Sequence, residues 1–222
     1  MAPIVSFEPG SEDERHTAAR SKFFKVIEEF FDFPDEEFYL HLTSGQFMTT
    51  LSALAKGLPY TMTVPPALSA PQYNNYDDYA SDFMRIFEVS VGGPPCPLNE
   101  GHYYEDRQKV MEELVRFYEH FDLKANEGRH ELPDHISAEL DFMHFLTFKE
   151  AGALHFHKDP TPYRRAQKDF LERHLLKWFP TLLEKLLRLD PPEFFRSACE
   201  FVNGFLVADH RNMLSILGSQ PR

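Results

Sequence analysis

The sequence has 222 residues, of which 42% are hydrophobic and 26% charged, so it can bury a substantial core and is too apolar for a disordered chain. Its formal net charge of −12 disfavours nucleic acid or an anionic membrane as a partner. The apolar stretches are far shorter than the roughly 20 residues that span a bilayer, and no charged-then-apolar leader begins the chain. We therefore expect a soluble cytoplasmic protein with no stable membrane insertion.

The first quarter of the chain predicts helices that are separated by short breaks. Ser11 and Glu14 have the spacing of a capping box, ahead of a first helix that ends near Pro34. Residues 35–57 predict two shorter helices, because Ser44–Gly45 interrupts an otherwise helical pattern.

The middle of the chain predicts loops and helices in alternation. Residues 58–75 contain four prolines and predict a long surface loop, and residues 76–87 predict another helix. The clearest amphipathic pattern runs from Tyr103 to Phe121. The polar run 124–132 then predicts a hinge.

The last part of the chain is again helical in pattern. One helix is predicted after the turn Pro133–His135, with Asp134 as its capping residue. Another begins at Thr161 and is ended or kinked by Pro180, and a short helix over 182–189 precedes a last one that runs towards Leu217.

No β-strand alternation interrupts these patterns, so the prediction is an all-α fold with about nine or ten helices in a single compact domain. The predicted hinge divides that domain into an N-terminal lobe, residues 1–123, and a C-terminal lobe, residues 133–222.

Few residues have the spacing of a chemical site. His155, His157 and Asp159 could hold a metal if their segment were extended, which would allow a metal-dependent hydrolase, but a surface loop is the simpler interpretation. Two cysteines, Cys96 and Cys199, indicate neither a disulfide framework nor a cysteine metal site. With no nucleophile–base pair and no glycine-rich phosphate loop, we predict no catalytic residue, no metal and no cofactor.

Three segments in order carry a resemblance to a known family: Pro97–Tyr104, then Pro133–Met143, then Phe170–Leu175 with Trp178. Together they resemble the TorD/DmsD family of redox-enzyme maturation chaperones, over roughly residues 20–210. The run Tyr103–Arg107 is most similar to chaperones that accompany ethylbenzene dehydrogenase, dimethyl sulfide dehydrogenase, selenate reductase and chlorate reductase.

The resemblance implies a cytoplasmic chaperone, monomeric or homodimeric, that is not an enzyme. Such chaperones bind the apo catalytic subunit of a molybdenum oxidoreductase, often at its twin-arginine signal peptide, while the molybdopterin cofactor is inserted and before Tat export. An acidic, phenylalanine-rich protein suits a leader of paired arginines followed by an apolar segment. The alternative is a non-catalytic subunit that stays in the redox enzyme complex.

The resemblance also implies where the client binds. The family's proline-aspartate-histidine turn, a client-binding feature, corresponds to Pro133, Asp134 and His135. Residues of the other motifs are predicted to belong to the same client site: Glu100, Tyr103 and Trp178.

Overall fold

The computed structural model describes residues 9–68, 73–89, 91–123 and 132–218. Within these ranges the chain forms nine α-helices and no β-strand, which confirms the all-α prediction. The helices are α1 (Glu12–Glu28), α2 (Glu36–Thr43), α3 (Gln46–Lys56), α4 (Tyr76–Phe83), α5 (Arg107–His120), α6 (Ile136–His155), α7 (Thr161–Arg173), α8 (Leu175–Arg188) and α9 (Glu193–Gly218). None of these helices is both long and apolar enough to cross a membrane.

Local sequence signals set the first three helices. The predicted capping box is present: Ser11 Oγ accepts from the amide of Glu14, and the Glu14 side chain accepts from the amide of Ser11. The break between α2 and α3 also lies where it was predicted. Gly45 has φ of 75°, a left-handed conformation that favours glycine, and this allows α3 to follow α2 directly.

Several predicted helix boundaries are wrong, and the first helix ends at Glu28 instead of near Pro34. The amphipathic helix begins at Arg107 instead of Tyr103, because Asp106 accepts a hydrogen bond from the amide of Lys109 (3.0 Å) and caps the helix. The helix that begins at Thr161 breaks at His174, which has φ of −122° and ψ of −95°. Pro180 lies inside α8, so the predicted helix over 182–189 is the last part of α8, which ends at Arg188.

One hydrophobic core holds the helices together. Helix α1 lies against α6, and α7, α8 and α9 pack around this pair. Aromatic side chains from distant parts of the chain meet in the core; for example, the rings of Phe23 and Phe205 are 4.5 Å apart between centroids. Of the predicted hinge, only Leu132 lies within the described residues, and the division into two lobes stays a prediction.

A buried ionic network crosses this core. Arg20 on α1 is 1% exposed, and its guanidinium donates to both carboxylate oxygens of Asp209 on α9, at 2.6 and 2.8 Å. It also donates to Glu150 on α6 (3.2 Å) and to Gln167 on α7 (2.6 Å). Arg164 donates to the other oxygen of Glu150 (2.6 Å). Four helices are therefore tied together by buried ion pairs and hydrogen bonds.

Candidate functional site

The turn Pro133–His135 is fixed to a second loop by backbone hydrogen bonds. The amide of Ile136 donates to the carbonyl of Leu98 at 2.8 Å, and the amide of Glu100 donates to the carbonyl of Asp134, also at 2.8 Å. The two loops thus pair over a short distance in antiparallel fashion, although no strand forms. Segments that are more than 30 residues apart in sequence are held in one place.

The side chain of Asp134 completes this connection. It is fully buried, and its oxygens accept from the side-chain amide of Asn99 (3.0 Å) and from the backbone amide of Gly101 (3.2 Å). Nε of Arg107 lies 3.5 Å from the second oxygen. A Cβ at position 101 would lie 2.8 Å from the same oxygen, so the close approach requires glycine.

The prediction that Asp134 caps the following helix is wrong. The capping residue of α6 is His135, whose Nδ1 accepts from the amide of Ser137 at 3.3 Å. The Asp134 carboxylate instead points into the protein, towards the loop that contains Asn99. Aspartate is a common cap, and only the tertiary structure distinguishes a cap from an internal connector.

Beneath the turn lies a buried polar cluster of Glu100, Glu139, His174 and Trp178. Nδ1 of His174 donates to Glu100 at 2.8 Å, and Nε1 of Trp178 donates to Glu139 at 3.1 Å. All four side chains are at most 2% exposed. Glu139 lies on α6, Trp178 on α8, and His174 at the break between α7 and α8. These elements thus meet the loop that carries Glu100 at one group of buried ionisable side chains.

Glu139 has a raised pKa in this cluster. Burial raises its pKa well above the ordinary value of a glutamate, and the carboxylates of Glu100 and Asp134 raise it further, whereas the indole N–H of Trp178 opposes the rise. Among the described residues, Oε1 of Glu139 has no hydrogen-bond partner while it is ionised. A proton on Glu139 lets it donate to Glu100, so the protonated acid suits this site.

We expect Glu139→Gln to change how stability depends on pH. Because the folded-state pKa of Glu139 is raised, its contribution to stability is complete below about pH 4.5 and is lost as the pH rises through the folded pKa. Glutamine accepts from Trp178, donates to Glu100 and cannot ionise. Urea unfolding of both proteins between pH 5 and 9 should therefore show the variant gaining stability over wild type as the pH rises.

The matched control for this experiment is Glu184→Gln, an exposed glutamate on α8. Its pH profile should run parallel to that of wild type. If the pH profile of Glu139→Gln also runs parallel to that of wild type, Glu139 has the same pKa in the folded and the unfolded protein.

Tyr103 links the buried cluster to the surface. Its hydroxyl donates to the carbonyl of Pro97 (2.9 Å), and its ring centroid lies 5.2 Å from that of Trp178. On the outer side, Nζ of Lys185 lies 4.4 Å from the ring centroid of Tyr103. A partner that contacts the outer side of the Tyr103 ring would therefore touch a residue that packs directly against Trp178.

The structure brings the six predicted site residues into one region. Of these, four are buried: Glu100, Pro133, Asp134 and Trp178. Tyr103 and His135 are half-buried. The exposed surface over them consists of side chains that were not predicted: Tyr104 (38% exposed), Arg107 (44%) and Leu132 (46%). The buried residues therefore shape this surface, and the exposed ones are accessible to a partner.

Sequence reasoning did not single out several residues that hold the site together. They are Asn99, Gly101, Arg107, Glu139 and His174. All five lie within the motifs that carry the family resemblance, and that was the available signal. Their partners are distant in sequence, 74 residues apart for Glu100 and His174, so no local spacing reveals the contacts.

The segment His155–Asp159 does not form a metal site. His155 ends α6 and its Nδ1 lies 3.1 Å from Glu14, whereas Asp159 accepts from the amide of Thr161 at 2.9 Å. His157 adopts a left-handed backbone conformation, with φ of 52°. Across the part of the chain that the structure describes, no three histidine, cysteine or acidic residues cluster in a way that could hold a metal ion.

A solved structure shares the fold of this protein. The fold is similar to that of a candidate redox enzyme maturation protein from Archaeoglobus fulgidus, with a TM-score of 0.51 and 18% identity, over 91% of this chain and 97% of the other. At that identity the likeness concerns the fold alone.

The sequence comparisons identify the family. The profile described as "Nitrate reductase delta subunit" matches residues 45–184, a range that includes all six predicted site residues. The perchlorate reductase assembly chaperone protein of Dechloromonas aromatica is 32% identical over 90% of this chain and 92% of its own length. The chlorate reductase assembly chaperone protein of Ideonella dechloratans is 31% identical over 92% of each chain. The chain belongs to this family, the TorD/DmsD family of redox-enzyme maturation chaperones.

Proposed function

We propose that this protein is an assembly chaperone, and not an enzyme, for the catalytic subunit of a molybdenum-containing oxidoreductase. The observation that carries the proposal is the similarity, over nine-tenths of the chain, to assembly chaperones of perchlorate and chlorate reductases. The chaperone binds the apo subunit in the cytoplasm while the molybdopterin cofactor is inserted, and releases it afterwards.

The geometry of the turn supports a binding function. Its backbone is fixed by Asp134 and by the polar cluster below it, so little conformational entropy is lost when a partner binds. The surface it presents combines apolar, aromatic and polar side chains: Leu132, Tyr104, His135 and Arg107. Such a rigid, mixed surface suits recognition of a polypeptide segment.

We further propose that the client's twin-arginine leader contacts this surface. Asp134 directs both oxygens inward, so in this conformation it is not available to an arginine of the leader. Leu132 offers contact to the apolar part of the leader, and the exposed Glu105, next to Tyr104, offers a carboxylate to its arginines.

Calorimetric titration of the apo catalytic subunit from the same organism tests this function. The chaperone should bind the subunit, and removal of the leader should weaken binding by about tenfold or more. Leu132→Ser should weaken binding of the leader-bearing subunit, whereas Leu214→Ser should not, because Leu214 is similarly exposed (43%) but lies on α9, which contributes no residue to the site. If the wild-type protein does not bind the apo subunit in either form, the proposal is wrong.

A further inference from the structure

A second surface lies next to the turn, in an open groove of about 650 Å³ between α5 and α7. Its floor is aromatic: Phe117 and Phe121 are half-buried and pack on the core. The ring of Phe117 lies 5.3 Å from that of Phe170 between centroids. The groove therefore offers apolar contact along two helices, close to the site described above.

The sides of this α5–α7 groove are cationic. Lys109 and Arg116 line it from α5, and Arg165 and Arg173 line it from α7. Four basic side chains thus line the groove against two acidic ones, Glu113 and Asp169, on a chain whose net charge is −12. A local charge opposite in sign to that of the whole protein favours an anionic partner at this place.

Most of this positive charge has no ion-pair partner among the residues that the structure describes. Arg173 pairs with Glu113 and covers the ring of Phe117 at 5.2 Å. Arg116 donates to a backbone carbonyl, that of Glu112 (3.1 Å), and pairs with no carboxylate in the described part of the chain. Lys109 and Arg165 form no ion pair with any residue that the structure describes, and both are exposed. These three cations are accessible to carboxylates of a partner.

We propose that the α5–α7 groove binds an acidic amphipathic helix from the mature part of the client's catalytic subunit. This rests on the proposed chaperone function. The apolar face of such a helix packs on Phe117 and Phe121, and carboxylates on its two flanks pair with the arginines on either side. The helix lies against α5 and α7 as a third helix.

The charge of the groove separates this site from that of the leader. A leader with paired arginines is repelled by Arg116 and Arg165, so the groove and the turn bind different parts of the same client. A phosphate compound is a poorer fit than a polypeptide. The amino end of α5, which would favour a phosphate, is already capped by the Asp106 carboxylate.

The test uses the full chain with the double substitution Arg116→Gln and Arg165→Gln. Both residues are exposed, so folding should be preserved, and thermal melts check this. The probe is the apo catalytic subunit expressed without its leader. At low salt its affinity should fall by about tenfold or more in the variant, and the difference should shrink at high salt.

A matched control removes two exposed cations elsewhere, with Arg188→Gln and Arg211→Gln. This control should bind the leaderless subunit as wild type does, and both variants should bind a synthetic leader peptide unchanged. Equal affinity of the groove variant and wild type for the leaderless subunit overturns the proposal. The proposal is also overturned if the wild-type protein binds only the leader-bearing subunit. That result would remain compatible with the proposed chaperone function.

Cross-linking identifies the segment that occupies the groove. Native Cys96 and Cys199 are buried, so a photoreactive group attached to Arg165→Cys reacts from position 165 alone. The cross-linked subunit peptide should contain acidic residues flanking apolar ones at helical spacing. A cross-link to the leader contradicts the proposal, as does displacement of the leaderless subunit by GTP or inorganic phosphate.

Discussion

Replacing Arg20 with methionine should lower the free energy of unfolding by about 3–5 kcal/mol. The guanidinium makes four hydrogen bonds in a fully buried site, and its removal leaves the Asp209 carboxylate buried beside the hydroxyl of Tyr60 without the cation that pairs with it. Glu150 keeps Arg164 as a partner, so Asp209 accounts for most of the loss. Urea unfolding at neutral pH measures the change.

Two further variants make this test specific. Lys22→Met also replaces a charged side chain with a thioether, but on the exposed side of α1. It should change the free energy of unfolding by less than about 0.5 kcal/mol. Adding Asp209→Leu to Arg20→Met should recover part of the loss, because it removes the uncompensated charge. A loss below about 1 kcal/mol in Arg20→Met would contradict the stabilising role of this network.

Asp134→Asn should also destabilise the protein, by about 1–3 kcal/mol. The two oxygens of Asp134 accept from Asn99 and Gly101, and asparagine has only one acceptor oxygen. Its amide group would face one of these donors, so a buried hydrogen bond is lost and two donors are brought together. If Asp134 were a helix cap, asparagine would replace it with little effect.

Asp106→Asn is the matched control, because Asp106 is a true cap: it accepts from the amide of Lys109 at the start of α5. The same substitution there should leave the melting temperature nearly unchanged, since asparagine caps as well as aspartate. Equal melting temperatures for Asp134→Asn and wild type would contradict the connector role of Asp134.

What the sequence predicts about this fold depends on how local the interaction is. The capping box at Ser11 and the break at Gly45 involve neighbours in the chain, so their patterns could be recognised directly. The break at His174 could not, because no glycine or proline marks it. The histidine ring is held by Glu100, 74 residues earlier, and only the tertiary structure supplies that contact.

The same distinction applies to the candidate site. The family motifs predicted which residues lie together, and the structure places all six in one region. The motifs could not predict the direction of each side chain. Asp134 was expected to cap a helix and to contact the client, yet it is fully buried, whereas the exposed Tyr104 and Leu132 were not singled out. Burial depends on neighbouring helices that a local motif does not describe.

The chaperone assignment depends most directly on which form of the catalytic subunit the protein prefers. Titrations of the apo subunit and of the cofactor-loaded subunit, both leader-bearing, compare the two forms under one condition. A chaperone that releases its client after cofactor insertion should bind the loaded subunit at least about 100-fold more weakly than the apo subunit, a difference of about 2.7 kcal/mol. Equal or tighter binding of the loaded subunit, with co-purification in the active enzyme, would contradict the account and identify a retained subunit instead.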